Sequence, residues 1–274
     1  MANNCRNLLA ALAVCAMAGS AGAEPAPAPV PMGVMGTIPL YWGEAEEMGD
    51  LLSGAEPHWA RAVIERDHEL RPLDTLAAET LAGLDLLLLA QPRALAAAEN
   101  VALDRWVRDG GRLLLFADPM LTGESHFPLG DRRRPQEVIL LSPILTHWGL
   151  RLQFMEDQPA APRMVAADGV ELPVRLAGSF VREDAGTGCA LDAEAVLARC
   201  AIGAGRAVIL ADAALLDLHD PHPAAPDALA WLLRQMAGED GDGAGKSVSW
   251  KKSTLIQMVE VSWQERKPPG SAPG

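Results

Sequence analysis

The chain has 274 residues, 49% of them hydrophobic, and a formal net charge of -13 at pH 7. This negative charge repels nucleic acids and anionic lipid headgroups, so we expect no nucleic acid partner. Downstream of the N-terminal segment, the sequence contains no apolar run of the roughly 20 residues that a transmembrane helix requires. We therefore expect no transmembrane helix after that segment.

Residues 1–23 have the features of a secretory signal peptide. Arg6 supplies positive charge, and residues 8–18 form an apolar stretch that is too short to span a bilayer comfortably. Residues 21–23 (AGA) match the A-x-A pattern of a cleavage site. We therefore expect cleavage before Glu24 and a periplasmic mature chain.

The cysteines agree with export to an oxidising compartment. Cleavage removes Cys5 and Cys15 and leaves the pair Cys189 and Cys200. A disulfide between these two is one interpretation, and two buried thiols are the alternative. A lipid anchor at Cys15 is disfavoured because Val14 stands where such signals have a small residue.

Three segments follow the signal peptide. Residues 24–36 (EPAPAPVPMGVMG) begin with a Pro/Ala stretch and are predicted to be an extended linker. Residues 37–238 alternate apolar runs with helical patterns and form the predicted α/β domain. Residues 239–274 are predicted to be a flexible linker and a Lys-rich C-terminal tail, with partner docking assigned to the tail from Lys246 onward.

The first half of the domain contains a βαβ unit. Residues 37–42 (TIPLYW) are a strand candidate, residues 56–67 have helical periodicity, and a short strand follows in HELRPLDTL. Residues 84–90 form a continuous apolar run, which is typical of a strand buried on both faces. The helical pattern of residues 96–109 and the strand RLLLFAD complete the unit.

The second half is predicted to add antiparallel strands and a final helix. The segment RPQEVILLSPILTHWG has a helical pattern that Pro143 must kink or split. Residues 150–155 read as a strand, residues 160–188 as small antiparallel strands, and residues 195–212 as a hairpin. Residues 226–238 form the last predicted helix. The expected fold is a mainly parallel α/β sheet with helices on both faces and a small antiparallel β extension.

Polar residues follow three of the predicted strands, at Gln91, Asp118 and Asp212. In open α/β sheets ligands bind beyond the carboxyl ends of the parallel strands. We therefore predict a ligand-binding cleft formed by these three residues and Arg93. The alternative for each aspartate is a structural one, because Asp often caps the turn or helix that follows a strand.

The segment DLHDPH places two imidazoles beside two carboxylates. His219 and His222, assisted by Asp217 or Asp220, have the donor types that Zn and Mn accept. Because Pro221 makes this stretch a turn, a hydrated loop with surface histidines is the alternative interpretation.

A second candidate site is a run of three arginines, Arg132, Arg133 and Arg134, before the predicted helix. Guanidinium groups next to the free amides of a helix start can bind an anion, whereas the alternative is a solvated loop that pairs with carboxylates. Residues 241–247 end in Gly-Lys-Ser but lack the spacing and the preceding strand of a phosphate-binding loop. We expect no cofactor.

The blocks LDLLLLAQP, LDRWV, GGRLLLFADP and GAGRAVILADAALL occur in this order along residues 37–238. In this respect the chain resembles the exported auxiliary domain of uncharacterised ABC-type transport systems, a gliding-motility-associated family related to a domain of an intraflagellar transport protein. The resemblance implies a sheet similar to flavodoxin-like or class I glutamine amidotransferase-like folds, and association with an ABC transporter.

Two departures limit what the resemblance implies about activity. Amidotransferases of that fold have a cysteine nucleophile after a central strand, whereas the strand ends here read AQPRA and FADPM. Members of the family often carry a transmembrane helix after the domain, which this sequence lacks. We favour a non-catalytic periplasmic binding or interaction domain that contacts an ABC-type transporter or another envelope protein. The alternatives are a metal-dependent hydrolase of the cell envelope, with Asp118 and Asp212 added to the histidines, and an envelope assembly scaffold.

Overall fold

One seven-stranded sheet organises the chain. The computed structural model describes residues 28–44, 57–131, 133–183 and 188–238. The strands in these ranges are β1 (Val30–Gly36), β2 (His68–Pro72), β3 (Leu86–Ala90), β4 (Arg112–Phe116), β5 (Leu150–Phe154), β6 (Arg163–Ala167), β7 (Val170–Val174), β8 (Gly178–Arg182), β9 (Cys189–Asp192), β10 (Leu197–Ile202) and β11 (Gly205–Leu210). The order in the large sheet is β2-β1-β3-β4-β11-β10-β9, and β5–β8 and β6–β7 form two antiparallel pairs.

The large sheet is mostly parallel. Five neighbouring strands run in one direction: β2, β1, β3, β4 and β11. β10 pairs antiparallel with β11, and β9 pairs antiparallel with β10. All five residues of β3 are buried. Because successive side chains of a strand point to opposite faces, both faces of β3 are covered. The predicted mixed α/β fold with a mainly parallel sheet is therefore confirmed.

Five α-helices lie among the described residues, together with a 3-10 helix (Ala214–Leu216). They are α1 (Trp59–Ile64), α2 (Ala78–Leu81), α3 (Ala97–Arg108), α4 (Ser142–His147) and α5 (Ala225–Ala237). α5 contacts α1, β4 and β11, whereas α3 contacts α2, α4 and β11. None of the helices in the described ranges is long and apolar enough to cross a bilayer.

The first strand of the sheet was predicted in the wrong place. Residues 37–42 form turns and bends, and β1 instead lies within the predicted linker of residues 24–36. β1 pairs with both β2 and β3 and buries Met32 and Val34. Its glycines have a packing role, because a side chain on Gly36 would collide with the carbonyl oxygen of Ala90.

The predicted long helix before β5 is also mostly wrong. Only α4 is helical, and Pro143 lies in its first turn, where a missing N–H costs no hydrogen bond. The carbonyl groups upstream have other partners: Gln136 O accepts from the Gln91 side chain at 2.9 Å, and Glu137 O accepts from Leu121 N at 2.9 Å. These contacts hold the segment before α4 in a loop.

The hairpin of residues 195–212 is confirmed as β10 and β11, and β9 adds an edge strand that the sequence pattern did not indicate. Cys189 of β9 lies opposite Cys200 of β10, and the two are joined by a disulfide bond. The bond ties the edge strand covalently to the sheet.

We predict that the double substitution Cys189→Ala with Cys200→Ala lowers the free energy of unfolding by about 2 to 3 kcal/mol, because the unfolded chain loses a cross-link that closes a short loop. Urea denaturation of the two proteins, purified under oxidising conditions, measures the difference. Peptide mass mapping without reductant checks that the parent protein carries the bond. Equal unfolding free energies in the two proteins would contradict the prediction.

Candidate functional site

The carboxyl edge of the parallel strands brings together three of the predicted cleft residues. β3, β4 and β11 are neighbours in register, so the residues that follow them emerge at the same edge. Gln91 Oε1 accepts a hydrogen bond from Asp118 N at 2.8 Å, and Asp118 Oδ2 accepts from Ala213 N at 3.0 Å. The predicted proximity of Gln91 to Asp118 is therefore confirmed.

Gln91 bonds in three directions and is fully buried. Besides accepting from Asp118 N, its Nε2 donates to Asp118 O and Gln136 O, both at 2.9 Å. Its backbone lies in the left-handed region, with φ 49°, and its carbonyl oxygen accepts from Thr37 Oγ1 at 2.6 Å. The side chain thereby fastens β3 to β4 and to the loop that contains Gln136.

Asp118 and Asp212 are both buried. Each carboxylate accepts hydrogen bonds from two backbone N–H groups. The oxygens of Asp118 accept from Met120 N at 2.7 Å and from Ala213 N at 3.0 Å. Those of Asp212 accept from Ala214 N at 2.7 Å and from Arg175 N at 2.8 Å. These bonds are what the capping alternative requires, whereas a ligand at the two carboxylates stays a prediction.

Burial changes the acidity of both carboxyl groups. It raises the pKa of Asp118 to about 7, although the amides of Met120 and Ala213 act in the opposite direction. The pKa of Asp212 is also raised, first by burial and then by the charge of Asp118. Desolvation therefore outweighs the hydrogen bonds that favour the charged form.

Arg93, the fourth predicted cleft residue, has a different set of contacts. Its guanidinium nitrogens donate to both oxygens of Glu99 at 2.8 Å and to Asp74 O at 2.9 Å. The carboxylate of Glu99 also accepts from Ala96 N at 2.8 Å, at the start of α3. The hydrogen bond from Arg93 lowers the pKa of Glu99 to about 2. Arg93 thus connects the loop between β3 and α3 to Glu99 of α3 and to the backbone of Asp74.

The predicted anion site depends on a helix start that the structure does not contain. Arg132 lies outside the described residues. Arg133 pairs with Asp131 at 2.7 Å, and Arg134 pairs with Glu137 at 3.1 Å. The next helix in the described part of the chain begins only at Ser142, so the predicted helix after the arginines is wrong. The paired arginines fit the solvated-loop alternative.

A cavity of about 540 Å³ lies beyond the strand ends. It is formed by the loops after β4 and β11, by the end of β7 with the residue that follows it, and by the residue before β6. Its lining includes four prolines, three histidines and several charged residues: Glu124, His126, Pro162, Pro173, Val174, Arg175, Ala214, Asp217, His219, Asp220, Pro221, His222 and Pro223. Seven of these thirteen residues are polar or charged, so the cavity is more polar than the mostly apolar pockets that bind drug-sized ligands.

The residues of the DLHDPH segment bond mainly within their own loop. Asp217 Oδ1 accepts from His219 N at 2.9 Å and from Asp220 N at 3.2 Å. His222 Nδ1 accepts from Ala224 N at 3.1 Å. A common metal site of these four residues therefore stays a prediction.

The structure instead groups His219 with Glu44 and His126. One ligand atom from each of these residues lies within 4.8 Å of the other two. The sequence analysis indicated neither Glu44 nor His126, because the three residues belong to separate loops. The only local signal was the imidazole of His219.

His58 is a buried neighbour of this group that sequence reasoning also missed. Its Nδ1 accepts from Ala60 N at 3.1 Å, which leaves Nε2 to donate to Leu216 O at 2.9 Å. Burial lowers the pKa of His58 to about 4, so the ring is neutral at physiological pH. It attaches the start of α1 to the loop that carries His219.

We predict that Asp118 makes the protein less stable as the pH rises. Its folded-state pKa of about 7 exceeds the ordinary value of 3.8, so its stabilising contribution is present at low pH and is lost as the pH rises through 7. For each proton that the folded state binds in excess of the unfolded state, the free energy of unfolding falls by up to about 1.4 kcal/mol per pH unit. Urea denaturation between pH 5 and 8 should show a smaller pH-dependent fall for Asp118→Asn than for the parent chain.

His58 contributes to the pH dependence of the free energy of unfolding in the opposite direction. Its lowered pKa makes stability rise with pH in the range from about 4 to 6.5. This contribution is common to both proteins and cancels in their difference. Asp109→Asn, which changes an exposed carboxylate at the other edge of the sheet, is the matched control. Parallel pH profiles for the parent and Asp118→Asn would refute the assignment.

Comparison with solved structures yields similarities of low sequence identity. The mmIFT52 N-terminal domain is 12% identical with a TM-score of 0.48, and the match covers 78% of this chain and 98% of that domain. A putative thua-like protein from Bacteroides uniformis is 11% identical with a TM-score of 0.41, covering 79% of this chain and 97% of the other.

The exo-beta-1,4-mannosidase Op5Man5 from an Opitutaceae bacterium is 14% identical with a TM-score of 0.41, and the match covers 76% of this chain but only 34% of the mannosidase. This chain therefore corresponds to about a third of the enzyme's length. No curated protein sequence matches the chain. Residues 49–171 match the model of the family described as an ABC-type uncharacterized transport system, which confirms over these residues the resemblance that the sequence motifs indicated.

Proposed function

We propose that the chain is a non-catalytic binding or interaction domain of an ABC-type transport system and acts in the periplasm after cleavage before Glu24. The observation that carries this proposal is the cavity beyond the carboxyl ends of the parallel strands. The match of residues 49–171 to a transport-associated family supports the choice of partner. The predicted signal peptide and the tail from Lys246 lie outside the described residues.

The cavity has the size of a site for a small ligand or a short extended segment of a partner, and its polar lining suits a ligand with charged or hydrogen-bonding groups. Its volume of about 540 Å³ falls within the range of roughly 300 to 1,000 Å³ found for ligand pockets. Pro173, Pro221 and Pro223 provide walls with little conformational freedom. A rigid wall lowers the entropic cost of binding, because little of the protein has to be ordered when the ligand arrives.

The chemistry of the described strand ends argues against glutaminase activity. Glutaminase chemistry needs a free thiolate at a turn after a strand. Here Gln91 and Asp118 follow the central strands β3 and β4, and Cys189 and Cys200 are joined to each other between the edge strand β9 and its neighbour β10. All four carboxylate oxygens of the two buried aspartates accept hydrogen bonds from backbone N–H groups.

The strand order supports the finer fold assignment that we propose, a flavodoxin-like sheet with helices on both faces. The parallel strands follow the order β2-β1-β3-β4-β11, which has the same pattern as the order 2-1-3-4-5 of flavodoxin-like sheets. The order reverses between β1 and β3, and ligands of such sheets bind beyond the strand ends near this point. Thr37 and Gln91 follow these two strands and are hydrogen-bonded to each other.

We predict that a photo-crosslinking amino acid at His222 captures a permease subunit of an ABC-type transporter. His222 lines the cavity, so a partner segment bound there lies within reach of the probe. The full-length chain is expressed in its own host cell, irradiated and analysed by mass spectrometry of the crosslinked species. The expected result is a crosslink to the permease at position 222.

The matched control places the same amino acid at Asp109, whose side chain is 72% exposed and lies at the opposite edge of the sheet. The permease should be absent from crosslinks at this position. Equal crosslinking at both positions would mean that the cavity is not the contact surface. Crosslinks at position 222 that contain only proteins unrelated to ABC transport would refute the proposed partner.

A further inference from the structure

We propose that Glu44, His126 and His219 bind one divalent transition-metal ion of the zinc class at the carboxyl edge of the sheet. The inference goes beyond the proposed function, since a partner-binding domain needs no metal. It rests on three observations: the distances among the three ligand atoms, the burial of the carboxylate, and the way the loop of His219 is held.

The distances suit a small ion with nitrogen and oxygen ligands. His219 Nε2 lies 3.5 Å from Glu44 Oε2, and all three ligand atoms lie within 4.8 Å of one another. In a tetrahedral zinc site with metal–ligand bonds of about 2.0 to 2.1 Å, neighbouring ligand atoms are roughly 3.3 to 3.5 Å apart. The Glu44–His219 pair already has this spacing, and the His126 nitrogen, which lies within 4.8 Å of both atoms, would complete the set.

The two imidazoles already lie close together. The ring centroids of His126 and His219 are 4.5 Å apart, with an interplanar angle of 84°. A metal ion accepts one nitrogen from each ring and is compatible with steeply inclined ring planes, because the two ligands approach it from different directions. The rings come from the loops after β4 and β11, so their meeting depends on the fold rather than on a local sequence motif.

Burial of the Glu44 carboxylate favours a cation at this position. Its side chain is only 3% exposed, and one of its oxygens accepts from His126 N at 3.2 Å. Removing a carboxylate from water is costly unless positive charge or strong hydrogen bonds compensate. A divalent ion held jointly with two histidines would supply this charge within a chain of net charge -13.

The loop that carries His219 is held in place by its neighbours. Asp217 Oδ1 accepts from His219 N at 2.9 Å, and Asp217 O accepts from Trp59 Nε1 at 2.7 Å. The next carbonyl upstream, that of Leu216, accepts from His58 Nε2 at 2.9 Å. Supporting bonds of this kind orient the residues around metal ligands and increase affinity.

The donor set indicates the class of ion and leaves a coordination position for a further ligand. Two imidazoles and one carboxylate suit zinc and similar first-row ions, whereas calcium and magnesium prefer oxygen ligands throughout. Three protein ligands are fewer than the four of a closed structural zinc site. Because His126 and His219 both line the cavity of about 540 Å³, the remaining position would face it and accept water or an anionic group of a ligand.

The test is a titration of the full-length chain, prepared without a histidine tag and stripped with a chelator, with Zn²⁺ by calorimetry. We expect one ion per chain. His126→Ala and His219→Ala should each weaken binding by at least about tenfold, the lower bound for the loss of even a supporting residue. Co²⁺ in place of Zn²⁺ should give the visible absorption of a site with nitrogen and oxygen ligands in the parent chain and lose it in these variants.

His222→Ala is the matched control, because His222 lines the same cavity and lies in the same loop as His219 but outside the proposed set. Its affinity for Zn²⁺ should equal that of the parent chain. Thermal unfolding of the metal-free variants verifies that each is folded, and Glu44→Gln, if folded, should behave as the histidine variants do.

Absence of saturable Zn²⁺ binding in the parent chain would overturn the proposal. Equal losses in His219→Ala and His222→Ala, with none in His126→Ala, would overturn the ligand set and favour the DLHDPH segment as the site. Neither result would bear on the crosslink at position 222, which tests the transport partner separately.

Discussion

The backbone amides that follow three parallel strands are buried away from water and need hydrogen-bond acceptors from the protein itself. The side chains that supply these acceptors determine the structure of the carboxyl edge of the sheet. Gln91 connects β3 to β4, and Asp118 connects β4 to the residue after Asp212. Asp212 extends the series to Arg175, which follows β7. A continuous row of side-chain-to-backbone bonds thus joins the large sheet to the smaller antiparallel pair β6–β7.

This arrangement separates the residues that hold the edge together from those that can contact a ligand. The buried aspartates are costly to ionise, as the raised pKa of Asp118 shows, but they fix the directions in which the loops leave the strands. The loops after β4 and β11 then supply the surface of the cavity, including His126, His219 and His222. Binding residues on loops that a rigid scaffold positions are the usual arrangement in α/β proteins.

The sequence was informative wherever a local pattern determines the structure. Continuous apolar runs predicted β3 and β4, helical spacing with a terminal glycine predicted α3 and α5, and the Gly-rich turn predicted the β10–β11 hairpin. β1 was missed because Pro31 and two glycines resemble a linker, although these glycines serve the close packing of strands. The residues before α4 have a helical pattern, but tertiary hydrogen bonds from Gln91 and Leu121 take up carbonyls that a helix would use.

The rule that ligands bind beyond the carboxyl ends of parallel strands predicts the region of the candidate site but not its residues. Glu44, His126 and His219 follow β1, β4 and β11, three parallel strands whose carboxyl ends share one edge, so the topology indicates the region in which they meet. Which loop residues face each other depends on contacts between separate loops, such as that of His219 Nε2 with Glu44 Oε2 at 3.5 Å. His222, close to His219 in the sequence, instead accepts from Ala224 N through its Nδ1. Residues far apart along the chain therefore form the group, whereas the neighbours in DLHDPH serve the turn that presents His219.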